Sequence, residues 1–455
     1  MIQGTSALLL FLLIIALVGC GSVAEPELLP VSQLEQPTLT SSPVDPTSPA
    51  TPAPLLSNAV EPEASSTRKS TATPAPTFTP EVTVSPLTSP TPNFPNFAAN
   101  PPQRLPSAGR VTHGKTYPPG AYEFIHDQFN VPPPPARVPK EYVLQLPAVP
   151  EEICPLTGEA APKGIESRRP INVRIDNSPQ GRPQAGLENA DVIWETLAEG
   201  GVTRLTVTFH CRTPDTLGPI RSARLIDLQL TPMLDAWFVY SGASQPVTDM
   251  IWASPFADRS IEEWAGDPGF YRIDQAPVGW LRTYSNNDLI QSVIAARDDG
   301  APPDPLRGWQ FSEQVPPASD GEATRIYIPY GGGSSAVSYH YDPSMERYLR
   351  YQGQAAHTTQ SGTQLAMDNI IVLFAEETVT LIVEDTLGSR SLHYKLHGEG
   401  LALLFRDGRV WDARWVREGE NTLVRVVDNV GEVIPLAPGQ TAVQIVSDQT
   451  NVTWE

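Results

Sequence analysis

The stretch INVRIDNSP, residues 171–179, gives the first clear element of the fold. Apolar and polar residues alternate over Ile171–Ile175 and then give way to Asp, Asn, Ser and Pro, which predicts a strand followed by a turn. Arg204–His210 (RLTVTFH) alternates in the same way, and Ala236–Tyr240 (AWFVY) is an apolar run of strand length. Between them, the apolar spacing of Arg221–Leu234 predicts a helix. Strands that alternate with helices predict a mixed α/β domain, which we place at residues 140–305.

The C-terminal part of the chain has a different texture. After a Pro- and Gly-rich connection, short apolar runs follow one another at close spacing with Gly or Asp in the turns, which predicts a smaller β-rich domain over residues 320–450. The fold class expected for the whole chain is therefore α+β. The predicted strands are Thr324–Pro329, Ala336–Tyr341, Arg347–Tyr351, Asn369–Phe374, Thr378–Glu384, Leu401–Phe405, Arg409–Val416, Leu423–Val427 and Ala442–Val446.

The first twenty residues are typical of a lipoprotein signal peptide. Leu8–Val18 is an apolar run too short to span a bilayer, and it ends at Leu17-Val18-Gly19-Cys20, which matches the bacterial lipobox. The alternative, a short buried helix, fits poorly with the polar low-complexity sequence that follows. We predict cleavage before Cys20, lipidation of its thiol, and anchoring at the extracytoplasmic face of the membrane.

Residues 21–139 are predicted to form a disordered stalk. The chain has 49 Pro among its 455 residues, and most of them precede residue 150, together with Thr, Ser and Ala. This composition cannot offset the entropy of folding and favours an extended spacer with polyproline II bias. Tyr117–Phe129 carries enough aromatic residues to dock onto a folded surface, and we expect the folded part to begin near Glu141.

Charge and cysteine usage exclude several classes of function. A net charge of −20 repels phosphate backbones, so no nucleic-acid partner is expected. No phosphate-binding loop, dinucleotide fingerprint or nucleophile elbow is present, and no cofactor is predicted. Cys154 and Cys211 can pair in an exported protein, although the sequence leaves a disulfide open, and no metal site is expected from them. His210 and His340 fall in strand-like runs, which favours structural roles.

A series of short motifs in a fixed order resembles the YerB-like lipoprotein family. The motifs cover about residues 153 to 448: Pro155-Leu156-Thr157-Gly158, Arg169-Pro170-Ile171, Asp176-Asn177, Arg182-Pro183-Gln184-Ala185-Gly186-Leu187, Ala190-Asp191-Val192-Ile193, Glu199-Gly200-Gly201-Val202-Thr203-Arg204, Gly218-Pro219-Ile220-Arg221-Ser222-Ala223-Arg224, Asn369-Ile370-Ile371-Val372, Gly398-Glu399-Gly400 and Ile434-Pro435-Leu436-Ala437-Pro438-Gly439-Gln440-Thr441. The resemblance implies a lipoprotein with two domains and no agreed activity. Members usually have His-Asn after a stretch like Ala276-Pro277, whereas this chain has Val278-Gly279. Any catalytic role of that His would be absent here.

The candidate ligand-binding residues are an arginine cluster with nearby polar and acidic residues. At the start of a helix, Arg221 and Arg224 would lie on one face beside free backbone N–H groups, where guanidinium forks bind phosphate or carboxylate. The alternative is that the arginines pair internally with acidic residues such as Asp176, Glu195 and Glu199. The predicted ligand-binding set is Arg182, Arg204, Arg221, Ser222, Arg224, Asp176, Asn177 and Glu195.

Two functions from different classes remain open at this point. The first is a non-catalytic module that binds an envelope protein or an anionic cell-wall ligand through the arginine-rich face. The second is an enzyme acting on envelope glycan or polyprenyl phosphate, with Arg221, Arg224 and Asp176 or Glu195 in its site. The enzyme requires these side chains to converge in one cleft with a perturbed carboxylate.

Overall fold

The computed structural model describes residues 110–112, 115–274, 276–298, 300–317 and 319–455. The predicted signal peptide, Cys20 and the predicted stalk up to residue 109 lie outside these residues. Among the described helices, none is long and apolar enough to cross a membrane.

The described chain is mainly strand, with five short α-helices. The helices are α1 (Ala121–Gln128), α2 (Lys140–Val143), α3 (Asp227–Met233), α4 (Gln245–Ala253) and α5 (Asn287–Arg297). The strands of the N-terminal half are β1 (Arg110–Thr112), β2 (Lys115–Tyr117), β3 (Ile171–Asp176), β4 (Val192–Leu197), β5 (Thr203–Phe209), β6 (Trp237–Tyr240), β7 (Ser260–Glu262), β8 (Tyr271–Arg272) and β9 (Thr283–Tyr284). Those of the C-terminal half are β10 (Gly321–Glu322), β11 (Arg325–Ile328), β12 (Val337–Asp342), β13 (Arg347–Gln352), β14 (Ala355–Ala356), β15 (Ala366–Met367), β16 (Asn369–Ala375), β17 (Glu377–Val383), β18 (Arg390–Tyr394), β19 (Gly398–Arg406), β20 (Arg409–Arg417), β21 (Arg425–Val427), β22 (Thr441–Ser447) and β23 (Thr453–Trp454).

One large mixed sheet contains strands from both halves. Its order within the described chain is β10-β20-β19-β16-β22-β4-β5-β3-β6-β7, with β21 beside β20. The last long strand, β22, pairs in parallel with β16 on one side and with β4 on the other. Residues 441–447 thus join the two halves by backbone hydrogen bonds. Such central strands are buried on both faces, which accounts for the continuous burial of β4, β5 and β22.

A second sheet in the C-terminal half is antiparallel. Its order is β14-β13-β12-β11-β23, with β15 beside β13. Burial alternates along β13, where Tyr348, Arg350 and Gln352 point inward. This is the pattern of a strand with one covered face. The α+β class predicted from the sequence is confirmed, with a mixed α/β sheet domain and an antiparallel β domain.

The helix predicted over Arg221–Leu234 is shorter, since α3 begins at Asp227. Residues 221–224 are instead held extended by neighbouring strands. Arg221 donates its N–H to the Arg174 carbonyl (2.8 Å), and Ala223 donates to Gly242 (3.0 Å). Because these backbone groups are already engaged outside a helix, Arg221 and Arg224 do not share a helical face, and that part of the prediction is wrong.

The residues from 115 to 139, which the sequence placed in the stalk, contain ordered elements. Helix α1 lies in this range, and Tyr117, Tyr122 and Val131 are buried in an apolar cluster with Phe238 and residues of α4. The docking expected for Tyr117–Phe129 is what the structure shows. The predicted C-terminal bound of the stalk, residue 139, is therefore too late, because these aromatic side chains supply apolar area that the Pro- and Thr-rich sequence lacks.

Candidate functional site

Asp176, at the end of β3, lies between two arginines of the predicted set. Its Oδ2 accepts a hydrogen bond from Nε of Arg221 (3.1 Å), and its Oδ1 accepts from the N–H of Ser178 (2.7 Å). Arg221 keeps 20% of its side chain exposed and also donates to the carbonyl of Trp280 (3.1 Å). Burial lowers the pKa of Arg221, and the charge of Asp176 opposes this change. The pair fixes one guanidinium at the surface.

Arg182 is the second arginine near Asp176, and its environment differs. Its side chain is partly buried and makes no hydrogen bond or ion pair with any residue that the structure describes. Burial lowers its pKa, and the positive charge of Arg350 adds to that effect. A guanidinium that has lost part of its hydration without gaining a partner is costly, which makes Arg182 a candidate for contact with an external anion.

Arg204 and Arg224 form a separate cluster around Glu199. Nη2 of Arg204 lies 2.9 Å from Oε1 of Glu199, and Nε of Arg224 lies 2.7 Å from Oε2. Burial opposes ionisation of Glu199, but the two guanidinium charges outweigh it and hold the pKa of its carboxyl well below the usual value. All three side chains are at most 9% exposed. Arg221 and Arg224 thus pair with different carboxylates, as the internal-pairing alternative predicts for them.

Asn177 and Glu195 lie in the interior, where they contact the second sheet. Glu195 forms an ion pair with Arg350 (2.9 Å), and neither side chain is exposed. Asn177 donates to Oε1 of Glu195 (3.2 Å) and to Oε1 of Gln352 (3.1 Å). This polar network joins the two halves. Because Glu195 is not exposed, its role is structural. Among the described residues, Arg221, Arg224 and Glu195 do not converge in a single cleft.

Two exposed tryptophans lie in segments that approach residues 221–223. Trp264 is 72% exposed and Trp280 58% exposed. The Trp264 ring lies against Gly242, so closely that a Cβ atom at position 242 would lie 2.6 Å from it. The Gly242 carbonyl accepts a hydrogen bond from the N–H of Ala223. We use the name Arg221 face for Arg221, the buried Asp176 that pairs with it, Arg182, the partly buried Ser222, Trp264 and Trp280.

Sequence reasoning did not find Arg350 or the two tryptophans. Arg350 lies 155 residues from Glu195, so no local motif links them. The available signal was its position on the inward side of a strictly alternating strand, where a charged residue requires a buried partner. The tryptophans lie in irregular segments, and their exposure depends on the tertiary structure.

Cys154 and Cys211 form a disulfide with a Cα–Cα distance of 6.2 Å, which resolves the alternative left open by the sequence. Their sulfur atoms and a ring nitrogen of His210 lie within 4.8 Å of one another. His210 is held by the carbonyl of Arg168 (3.0 Å from Nε2), and burial lowers its pKa to about 4. Bonded sulfurs are not thiolates, so the oxidised group offers no soft ligands to a metal.

Family models match both halves of the chain. The model described as protein of unknown function (DUF3048), N-terminal domain, matches residues 156–298, and that of the C-terminal domain matches residues 326–443. The chain belongs to this family.

A relative and a solved structure, both described as YerB of Bacillus subtilis, resemble the chain. The chain is 32% identical over 315 residues to a protein of strain 168 named "Putative lipoprotein YerB", an alignment that covers 65% of this chain and 86% of the relative. It also resembles the crystal structure of the YerB protein from Bacillus subtilis, with 28% identity and a TM-score of 0.56. That likeness covers 66% of this chain and 99% of the solved one.

Proposed function

We propose that this protein is a lipid-anchored, non-catalytic binding module that holds an anionic cell-wall ligand on the Arg221 face. The observation that carries the proposal is Arg182, a partly buried guanidinium without a hydrogen-bond or ion-pair partner among the described residues. Arginine forks bind phosphate and carboxylate oxygens with two parallel hydrogen bonds. An anionic ligand would supply the partner that the described residues do not.

The exposed tryptophans favour a ligand that contains sugar rings. Trp264 and Trp280 present flat apolar surfaces beside Arg221, which still has a fifth of its side chain in solvent. Aromatic rings give large contact area at low conformational cost, and their clustering next to a cation is typical of a recognition surface. A glycan that carries phosphate or carboxylate groups satisfies both features.

Anchoring rests on the sequence and on the name of the relative. The lipobox ending at Cys20 would place a lipid at the new N-terminus, and the Pro-rich stalk would hold the folded part away from the extracytoplasmic face of the membrane. The relative that is 32% identical is named a lipoprotein, which supports the same address.

The geometry favours a binding module over an envelope enzyme. The residues that an enzyme would need are divided among Asp176, Glu199 and the buried Glu195. In addition, the carbonyl of Trp280 accepts a hydrogen bond from Arg221, and the two residues before it, Val278 and Gly279, carry no ionisable group. The loop therefore supplies no acid or base next to the exposed guanidinium.

A sedimentation assay tests the proposal. The full-length protein in detergent is mixed with insoluble bacterial cell walls whose phosphate polymers are either retained or chemically removed. We expect saturable co-sedimentation with the first preparation, weakened by added salt, and at least about tenfold weaker binding to the second. Equal binding to both preparations, or none to either, would contradict an anionic wall ligand and leave an envelope protein as the partner.

A further inference from the structure

A polar cavity away from the Arg221 face brings the two halves of the chain together. Its volume is 390 Å³, within the range of small-molecule sites. Its walls come from the segment before β4, the segment after β5, strand β13 and the turns before β16 and β22. The lining residues are Glu159, Glu188, Asn189, Arg212, Arg347, Asp368, Pro438 and Gly439.

Four of the five charged side chains in this cavity are already paired. Arg212 lies 2.6 Å from Oε2 of Glu159, and Arg347 lies 3.0 Å from Oδ2 of Asp368. Burial raises the pKa of Asp368, while the guanidinium of Arg347 opposes that rise. The two pairs are charge-neutral, so Glu188 leaves the cavity with one carboxylate in excess.

Glu188 has no partner for this carboxylate. It makes no hydrogen bond or ion pair with a described residue, and its Oε2 is buried from solvent. Arg347 has a complementary deficit, because its Nε is buried without an acceptor while 30% of its side chain remains exposed. Buried polar atoms without partners are uncommon in folded proteins, and a water, an ion or a ligand can supply the missing partner. Here the two unpartnered atoms are of opposite character, an acceptor and a donor.

We propose that this cavity binds a small zwitterion, such as an amino acid or a dipeptide. The ammonium group of the ligand pairs with Glu188, and its carboxylate takes the unused donor capacity of Arg347. Both contacts are charge-assisted hydrogen bonds, which are the stronger kind in proteins. Two guanidiniums in the walls disfavour a metal cation, since they repel it at close range.

Binding of simple compounds to the full-length protein in detergent tests this site. The probes are alanyl-alanine and L-lysine, with methylammonium and acetate as single-charge controls, followed by isothermal titration calorimetry. We expect saturable binding of the zwitterions at least about tenfold tighter than either control, because each control satisfies only one of the two groups. Methylammonium binding as tightly as alanyl-alanine would overturn the proposal, and so would the absence of saturable zwitterion binding.

Two variants assign the contacts. E188Q keeps the shape of the side chain and removes its charge, so zwitterion affinity falls at least about tenfold, whereas E313Q at an exposed glutamate elsewhere leaves it unchanged. R347K keeps the charge but lacks the Nε donor, so it weakens the zwitterions and leaves methylammonium unaffected. Equal affinity of E188Q and the unmodified protein for alanyl-alanine would refute the assignment, provided that circular dichroism shows the variant folded.

Discussion

Replacing Arg350 by Met is expected to destabilise the whole folded region, because it leaves Glu195 buried without a counter-charge. The two side chains are 2.9 Å apart and neither is exposed. Breaking a buried ion pair by removing one partner costs about 3–5 kcal/mol. The lower end applies here, since Asn177 still donates to Glu195 (3.2 Å). For a folded region of this size, a loss of about 3 kcal/mol lowers Tm by roughly 4 °C.

Urea unfolding followed by tryptophan fluorescence and far-ultraviolet circular dichroism measures this effect. Because β22 and the Glu195–Arg350 pair both connect the halves, we expect the two probes to report one coincident transition that moves as a unit in R350M. Adding E195Q should recover at least about 1 kcal/mol, since the buried charge is then removed. The exposed Arg325–Glu455 pair is the matched control, with side chains 64% and 72% in solvent, and R325M should change the midpoint little.

An R350M variant that unfolds at the same urea concentration as R325M would show that the buried Glu195–Arg350 pair stabilises the fold no more than the exposed Arg325–Glu455 pair. Movement of only one spectroscopic transition would show, in addition, that the halves unfold independently and that the shared sheet does not couple them.

Three further predictions concern other parts of the fold. Burial raises the pKa of Asp191 to about 6. The protonated carboxyl therefore contributes about 3 kcal/mol of stability, which is fully present below about pH 4 and is lost as the pH rises through 6. The D191N variant should flatten the pH dependence of the urea midpoint between pH 4 and 7, and an unchanged slope would contradict this. Removing the disulfide in a C154S/C211S variant opens a loop with a sequence separation of 57 and should cost about 2–4 kcal/mol, seen as a lower Tm, whereas an equal Tm would show that the link contributes little. Gly242 has φ 68° and lies under the Trp264 ring, so G242A should displace that ring and weaken cell-wall binding. The control G266A, with φ 86° and open space around it, should impose only backbone strain. Equal effects of the two variants on binding would count against a role for Trp264.

Local patterns in the sequence predicted the elements well, and the long-range pairing poorly. Alternation over Ile171–Ile175 and the apolar run Asn369–Phe374 marked strands that the structure has at nearly those bounds. No local pattern says that β22 inserts between β16 and β4, because these pairings join residues that are far apart in sequence, such as Asn369 with Thr441 and Val192 with Thr441. For that reason no sequence pattern indicated that strands of the C-terminal half extend the sheet of the N-terminal half.

The candidate site was partly accessible from the sequence. The predicted set contained both Asp176 and Arg221, which pair in the structure, but the sequence did not say which acidic residue Arg224 would contact. That outcome depends on residues 221–224 being extended, which a helical spacing of apolar residues concealed. Arg182 stands out only after the partners of the other arginines are known, since being unpaired is a property of the folded state.

Cell-wall binding by an Arg182 variant is the most direct test of the proposed anionic-ligand site. The affinity of R182A for cell walls with their phosphate polymers is compared with that of R168A, which removes an exposed arginine before the opposite end of β3. Because R182A removes the proposed guanidinium contact, we expect at least about tenfold weaker cell-wall binding for R182A and no change for R168A. Equal affinities of the two variants would contradict a ligand contact at Arg182 and with it the proposed binding face.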